Sequence, residues 1–274
     1  MLAFAGNSLI CRKALAGGAI DAASFTGLRV LAGAATLALI SALMARPRVD
    51  RQTTGGWRPA LALFAYAALF SYAYIGLDAA TGALLLFGLV QATMLAAALV
   101  AGERPSAPEW LGWLLAAGGL GWLLLPGAGA PSGWGAVAMG LAGVAWGIYS
   151  LLGRRESDAL AATTRNFVLA VVPALLLVTA ASGGASVSVQ GAALALLSGG
   201  MTSGLGYVIW YAALSGLSSA QAALVQLSVP AIAAAGGVVL LGEPASARLL
   251  VSGTLILGGI ALAITGRKRP DAVR

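Results

Sequence analysis

Apolar stretches about as long as a bilayer is thick follow one another almost end to end along this chain. A membrane-crossing helix needs about 20 consecutive apolar residues. Such windows fall near 1–17, 23–44, 57–77, 79–100, 109–126, 132–153, 163–182, 190–211, 219–241 and 246–266. They use up nearly all of the 274 residues, so no soluble domain fits beside them. Charged residues make up only 9%. A soluble domain carries about 25% to cover its water-facing surface. The expected class is therefore an all-α integral membrane protein with ten transmembrane helices. The first window starts at Met1 with no basic flank and is shortened by Arg12 and Lys13. It is read as a retained helix and not as a cleaved signal peptide.

The chain carries 16 basic against 9 acidic residues. In a soluble protein that excess would point to nucleic acid. In a membrane protein it holds cytoplasmic loops in place, so no nucleic-acid partner is expected. Arg46, Arg48, Arg51 and Arg58, then Arg104, then Arg154 and Arg155, then Arg267, Lys268, Arg269 and Arg274 fall on one side of a ten-span threading. That places both termini in the cytoplasm. The chain has no histidine and a single cysteine, Cys11. This excludes the Ser-His and Cys-His pairs of many hydrolases, the usual zinc sites and an intramolecular disulfide. No Asp or Glu lies at the centre of a span, which removes the commonest proton relay and the paired aspartates of an intramembrane protease. The chain is expected not to be an enzyme and to need no cofactor or metal, and transport by exchange or facilitation is expected over proton symport.

An internal repeat shapes the functional reading. Without gaps, Gly102, Glu103, Ser106, Ala107, Leu115, Gly118 and Gly119 match Gly242, Glu243, Ser246, Ala247, Leu255, Gly258 and Gly259. The units are residues 1–126 and 132–274, each about five helices. An odd helix number inverts the second unit relative to the first. Inverted repeats are a common transporter architecture, with the substrate site near the midplane between them.

Two residue stripes point to that site. Tyr66, Phe70 and Tyr74 repeat every fourth residue in the third window, and Ser203, Tyr207 and Tyr211 do so in the eighth. Spacing of four keeps each set on one helical face. Tyr74, Tyr207 and Tyr211, with Trp146, are candidates to line a substrate cavity. Asn7, Gln91 and Gln226 are candidate polar partners, and Pro230 is a hinge candidate because it breaks the ladder of its helix. Ordinary helix packing is the alternative for all of them. Trp57, Trp110, Trp113, Trp122 and Trp134 lie near helix ends, as an interfacial belt does. Arg29, near the start of the second window, is expected to snorkel to the interface, with attraction of an anionic group as the alternative.

The chain resembles the drug/metabolite transporter superfamily, specifically the ten-helix EamA-type carriers. The features that carry this are Gly102-Glu103 and Gly242-Glu243, Gly6-Asn7, Arg29, and the glycine pairs Gly118-Gly119 and Gly258-Gly259. A proline usual within the fourth helix is replaced here by Val90-Gln91, whereas Pro230 keeps it in the second repeat. The resemblance implies an exporter of amino acids or other metabolites in the bacterial inner (plasma) membrane. Within the superfamily the chain looks like the YddG-type aromatic amino-acid exporters. The implied partners are a small-molecule substrate and the lipid bilayer, and a monomer is the expected working unit.

Overall fold

The computed structural model describes residues 1–44, 55–126, 131–154, 156, 158–214 and 225–266, and of Tyr211 and Leu214 only the backbone. The basic residues Arg46, Arg48, Arg51, Arg155 and those from Arg267 onward lie outside the described residues. Helices occupy the apolar windows: α1 (Leu2–Ala16), α2 (Ala22–Leu43), α3 (Trp57–Ala73), α4 (Ala79–Val100), α5 (Ala107–Leu124), α6 (Gly133–Gly153) and α7 (Ala159–Ala180). Then come α8 (Val189–Leu197), a π-helical segment (Ser198–Leu205), α9 (Gly206–Leu214), α10 (Ser228–Leu241) and α11 (Ala247–Thr265). Among the described residues there is no strand beyond one isolated bridge between Ile20 and Val187.

Among the described residues, six helical stretches are long and apolar enough to cross a membrane: α2, α4, α6, α7, the run Val189–Trp210 and α11. Leu39, Leu114, Leu176, Val239 and Leu240 are exposed on helix surfaces. In water that would be costly; against lipid tails it is not. The tryptophans at positions 57, 110, 122 and 134 are exposed too, as an interfacial belt requires.

The repeated Gly-Glu and Ser-Ala pairs are explained by helix ends. Gly102 and Gly242 have φ of 85° and 69°, the left-handed conformation that stops a helix and favours glycine. Ser106 and Ser246 then start the next helix as N-caps. The Ser246 hydroxyl accepts the Leu249 N–H at 3.1 Å. Ser106 and Glu109 form a reciprocal capping box, with the Ser106 N–H donating to Glu109 at 2.7 Å.

Two polar knots tie loops together. Asp21 caps α2, accepting the Ser24 N–H at 2.9 Å and the Ser186 N–H at 3.0 Å. Burial pushes the Asp21 carboxyl up, but these hydrogen bonds outweigh it and hold its pKa below the ordinary 3.8. A depressed carboxyl stabilises the fold above its unfolded pKa and loses that as pH falls through the lower folded value. Asp21→Ala should therefore cost about 1 kcal/mol near neutral pH, as cap losses do. The difference in melting temperature from wild type should shrink as pH falls below the ordinary carboxyl value of 3.8. A difference that does not change with pH would rule out the carboxylate as its source.

The second knot joins α1, α4 and the end of α10. Arg12 donates through Nε to Glu243 at 3.2 Å and through a terminal nitrogen to Asp78 at 3.1 Å. Its other terminal nitrogen reaches the carbonyls of Tyr74 and Ile75, at 3.3 and 3.2 Å. Both Glu243 oxygens accept the Ala79 N–H, at 3.0 and 2.9 Å. The carboxylate thus sits at the positive N-terminal end of α4, where a helix favours an anion.

Candidate functional site

The aromatic stripes converge inside the bundle. Tyr66 of α3 lies with its ring centroid 4.6 Å from that of Trp146 of α6. Trp146 in turn stands 5.6 Å from Tyr207 of α9 and 5.3 Å from Tyr149. Tyr207 also meets Phe4 of α1 edge-on at 5.7 Å and Phe167 of α7 at 5.9 Å. Rings from α1, α3, α6, α7 and α9 therefore meet at one place. These separations are those of favourable aromatic pairs.

The polar side of the cluster comes from α1, α2 and the π-helical segment. The Asn7 carbonyl accepts the Ser198 hydroxyl at 2.6 Å and the Thr202 hydroxyl at 3.2 Å. Thr202 also reaches the Ser198 carbonyl at 2.6 Å. π-Helical turns occur often at functional sites. This one packs directly on α2: a Cβ added at Gly199 would collide with the carbonyl oxygen of Arg29. Only glycine permits that approach.

Arg29 does not snorkel. Its side chain is only 3% exposed. One terminal nitrogen donates to the Tyr66 hydroxyl at 3.2 Å. The guanidinium lies over the rings of Tyr66 and Phe70, 5.3 and 4.9 Å from their centroids. It begins two turns into α2, deep enough that turning inward onto ring faces replaces turning outward to headgroups. The other terminal nitrogen has no hydrogen-bond partner among the described residues.

Residues 133–265 match the EamA-like transporter family. The uncharacterized protein PA1977 of Pseudomonas aeruginosa is 55% identical over 267 residues, covering 97% of this chain and 92% of that protein. Residues 133–265 thus form an EamA-like transporter domain, and the whole chain is of one family with PA1977. A solved crystal structure, 23% identical, covers 96% of each chain with a TM-score of 0.63. At that identity it shows the fold alone. The family is one of membrane transporters of small molecules and not of enzymes.

The segment that matches the family contains Trp146, Tyr207 and Pro230, whereas Asn7, Arg29 and Tyr66 come from the part before it. Of the sequence candidates, Trp146 and Tyr207 touch each other, and Asn7 is bonded to Ser198 and Thr202 on the π-helical segment that leads into α9. Tyr74 does not join them. It is fully buried at the far end of its stripe, packed on Phe70 at 4.7 Å with its hydroxyl donating to the Ala79 carbonyl at 3.3 Å. Tyr66, one end of the same stripe, takes the place expected for Tyr74. The Tyr211 side chain lies outside what is described. Gln91 is buried on α4 and Gln226 half-buried ahead of α10. Neither has a hydrogen bond into the cluster among the described residues.

Helical residues stand on both sides of a turn at Leu227, so the helical ladder is interrupted three residues before Pro230. Pro230 itself sits in the first turn of α10, where a helix has no use for the missing N–H. Pro173 is the proline inside a helix, in the middle of α7. Residues that sequence patterns did not single out are Phe4, Phe167, Ser198 and Thr202. The glycines at 199, 200, 204 and 206 were the available sign that this stretch departs from a plain α-helix.

Proposed function

We propose that this chain is a secondary transporter that exports neutral amino acids, aromatic ones among them, by alternating access. It works as a monomer in the bacterial inner membrane, with both termini cytoplasmic. Residues 1–126 and 132–274 act as inverted five-helix repeats with the substrate between them. Helices that correspond in the two halves lie against one another: α2 on α7, α4 on α10 and α5 on α11. That pairing is what a two-fold axis through the bundle would produce.

The observation that carries this reading is the position of Trp146. Its ring is packed on both Tyr66 of the first half and Tyr207 of the second. A group inserted there would be sandwiched between rings from both halves and would feel any rocking of one against the other. Tyrosine and tryptophan supply flat apolar surfaces with polar tips, which suits a small amphipathic substrate. The hydroxyls and amide of Ser198, Thr202 and Asn7 supply the hydrogen-bonding side.

Counterflow in proteoliposomes, with labelled amino acids outside, unlabelled inside and no pH gradient, tests the proposal. At least one neutral amino acid should exchange. Trp146→Ala and Tyr207→Ala should each reduce exchange about twofold to tenfold, the equivalent of one lost aromatic pair. The exposed Trp110→Ala should leave it unchanged at equal protein levels. Exchange of other metabolites or drugs in place of amino acids would favour a different substrate class. Equal loss in the Trp110 variant would refute the cluster as the site.

A further inference from the structure

Among the described residues, Arg29 is a buried cation with no anion. No carboxylate lies within ion-pair distance of it among the described residues, where Arg12 takes both Asp78 and Glu243. Its guanidinium offers donors in a planar fork. One terminal nitrogen is used by the Tyr66 hydroxyl at 3.2 Å, and the other is buried without a partner. The faces of Tyr66 and Phe70 offset part of the charge. They cannot accept a hydrogen bond in the plane of the fork.

An unpaired charge inside a membrane protein is costly to keep. A missing partner explains the arrangement better than packing does, because an apolar residue would pack there at no such cost. An anion that comes and goes would supply both the charge and the acceptor. Tyr66, which holds one side of the fork, also lies 4.6 Å from the Trp146 ring. An anion on the open nitrogen therefore sits next to the aromatic cluster, so one small molecule can reach both.

We infer that Arg29 anchors the carboxylate of the transported substrate, with Tyr66 orienting the guanidinium and Trp146 receiving the apolar part. This rests on the transporter reading above and specifies what that site recognises: an organic acid or a zwitterion, and not a simple amine or a neutral molecule. A guanidinium binds a carboxylate through two parallel hydrogen bonds. An amide or an amine offers no matching pair of charged oxygens.

The test is ligand-induced thermal stabilisation of the purified full-length protein. Amino acids are compared with their amides and decarboxylated amines, with 3-phenylpropionate, and with phosphate and chloride as plain anions. Acids that bind should do so at least about tenfold more tightly than their amides and amines, as expected for hydrogen bonds to a charged group. Arg29→Gln should remove this preference. Arg29→Lys keeps the charge but loses the fork and should fall between the two. Tyr66→Phe should weaken acid binding several-fold by freeing the guanidinium to turn.

The wild-type comparison needs no variant to fold. Amides or amines binding as tightly as acids would overturn the inference, and so would the absence of binding by any acid. Equal protection by phosphate or chloride would reduce the site to a plain anion site and overturn it as well. Transport without acid preference leaves the transporter reading standing and removes Arg29 from it. Acid binding without transport does the reverse.

Discussion

Leucine at position 259 should cost the protein about 3 kcal/mol, the top of the range for overpacking, and should show as a large fall in melting temperature or loss of a monodisperse peak in detergent. Helices α5 and α11 cross here with their backbones in contact. A Cβ at Gly259 would lie 2.5 Å from the Gly112 carbonyl oxygen and 2.7 Å from the Ala116 nitrogen. A Cβ at Gly112 would meet the Gly259 carbonyl and stand 2.6 Å from the Ala263 nitrogen. These neighbours are backbone atoms, so they cannot rotate away as a side chain can. In lipid there is no hydrophobic gain from pressing two helices together, and close van der Waals contact between small residues is what holds them. The control is next door. Gly258 is exposed and has nothing within 4 Å of an added Cβ, so Gly258→Leu should stay within about 0.5 kcal/mol of wild type. Equal melting of the two variants would show that the crossing is not what holds this pair.

The glycine pairs show how much the sequence could reveal. The repeat aligned Gly118-Gly119 with Gly258-Gly259, yet only the second member of each pair lies in the crossing; the first faces outward. Repetition marked the place but not the face. The same limit governs the site. Apolar windows located the helices because each run must span the bilayer with its backbone bonds made internally, which leaves a strong length signal. The Gly-Glu and Ser-Ala pairs located helix ends because stopping and starting a helix needs those residue types locally. Arg29 was placed at the right depth, but depth does not say whether a long side chain turns to headgroups or to rings. Its inward turn depends on Tyr66 and Phe70, about forty residues away, and on an α2–π approach that Gly199 permits. That Tyr66 and not Tyr74 meets Trp146 was hidden for a related reason. Both lie on one face of α3, and which end meets Trp146 is decided by how α6 crosses. The π-helical turn depends on packing against α1 and α2, so a spacing rule built on 3.6 residues per turn has no means to announce it.

Cys11 should become reactive when Glu243 is removed. The thiol is the chain's single cysteine, it is completely buried, and it precedes Arg12 on α1. Arg12 is held by Glu243 and Asp78 at this end of the bundle, while Glu243 also receives the first N–H of α4. Glu243→Ala removes an ion pair and a helix-end contact together. It leaves Arg12 with the carbonyls of Tyr74 and Ile75 and with Asp78, whose side chain is 43% exposed and so contributes little. Breaking a fully buried pair costs about 3–5 kcal/mol. Here Arg12 is one-fifth exposed, so a loss of about 2 kcal/mol is expected, which raises the open fraction about thirtyfold. When opening and closing are fast compared with the chemistry, modification tracks that fraction. Maleimide labelling of Cys11 should therefore run about thirtyfold faster in Glu243→Ala than in wild type. Glu243→Gln should fall between them, because a neutral amide can still accept the Ala79 N–H but pairs weakly with Arg12. A Cys11→Ser chain must take up no label. Identical labelling rates in wild type and Glu243→Ala would mean that Arg12, Asp78 and Glu243 do not hold this end of the bundle shut.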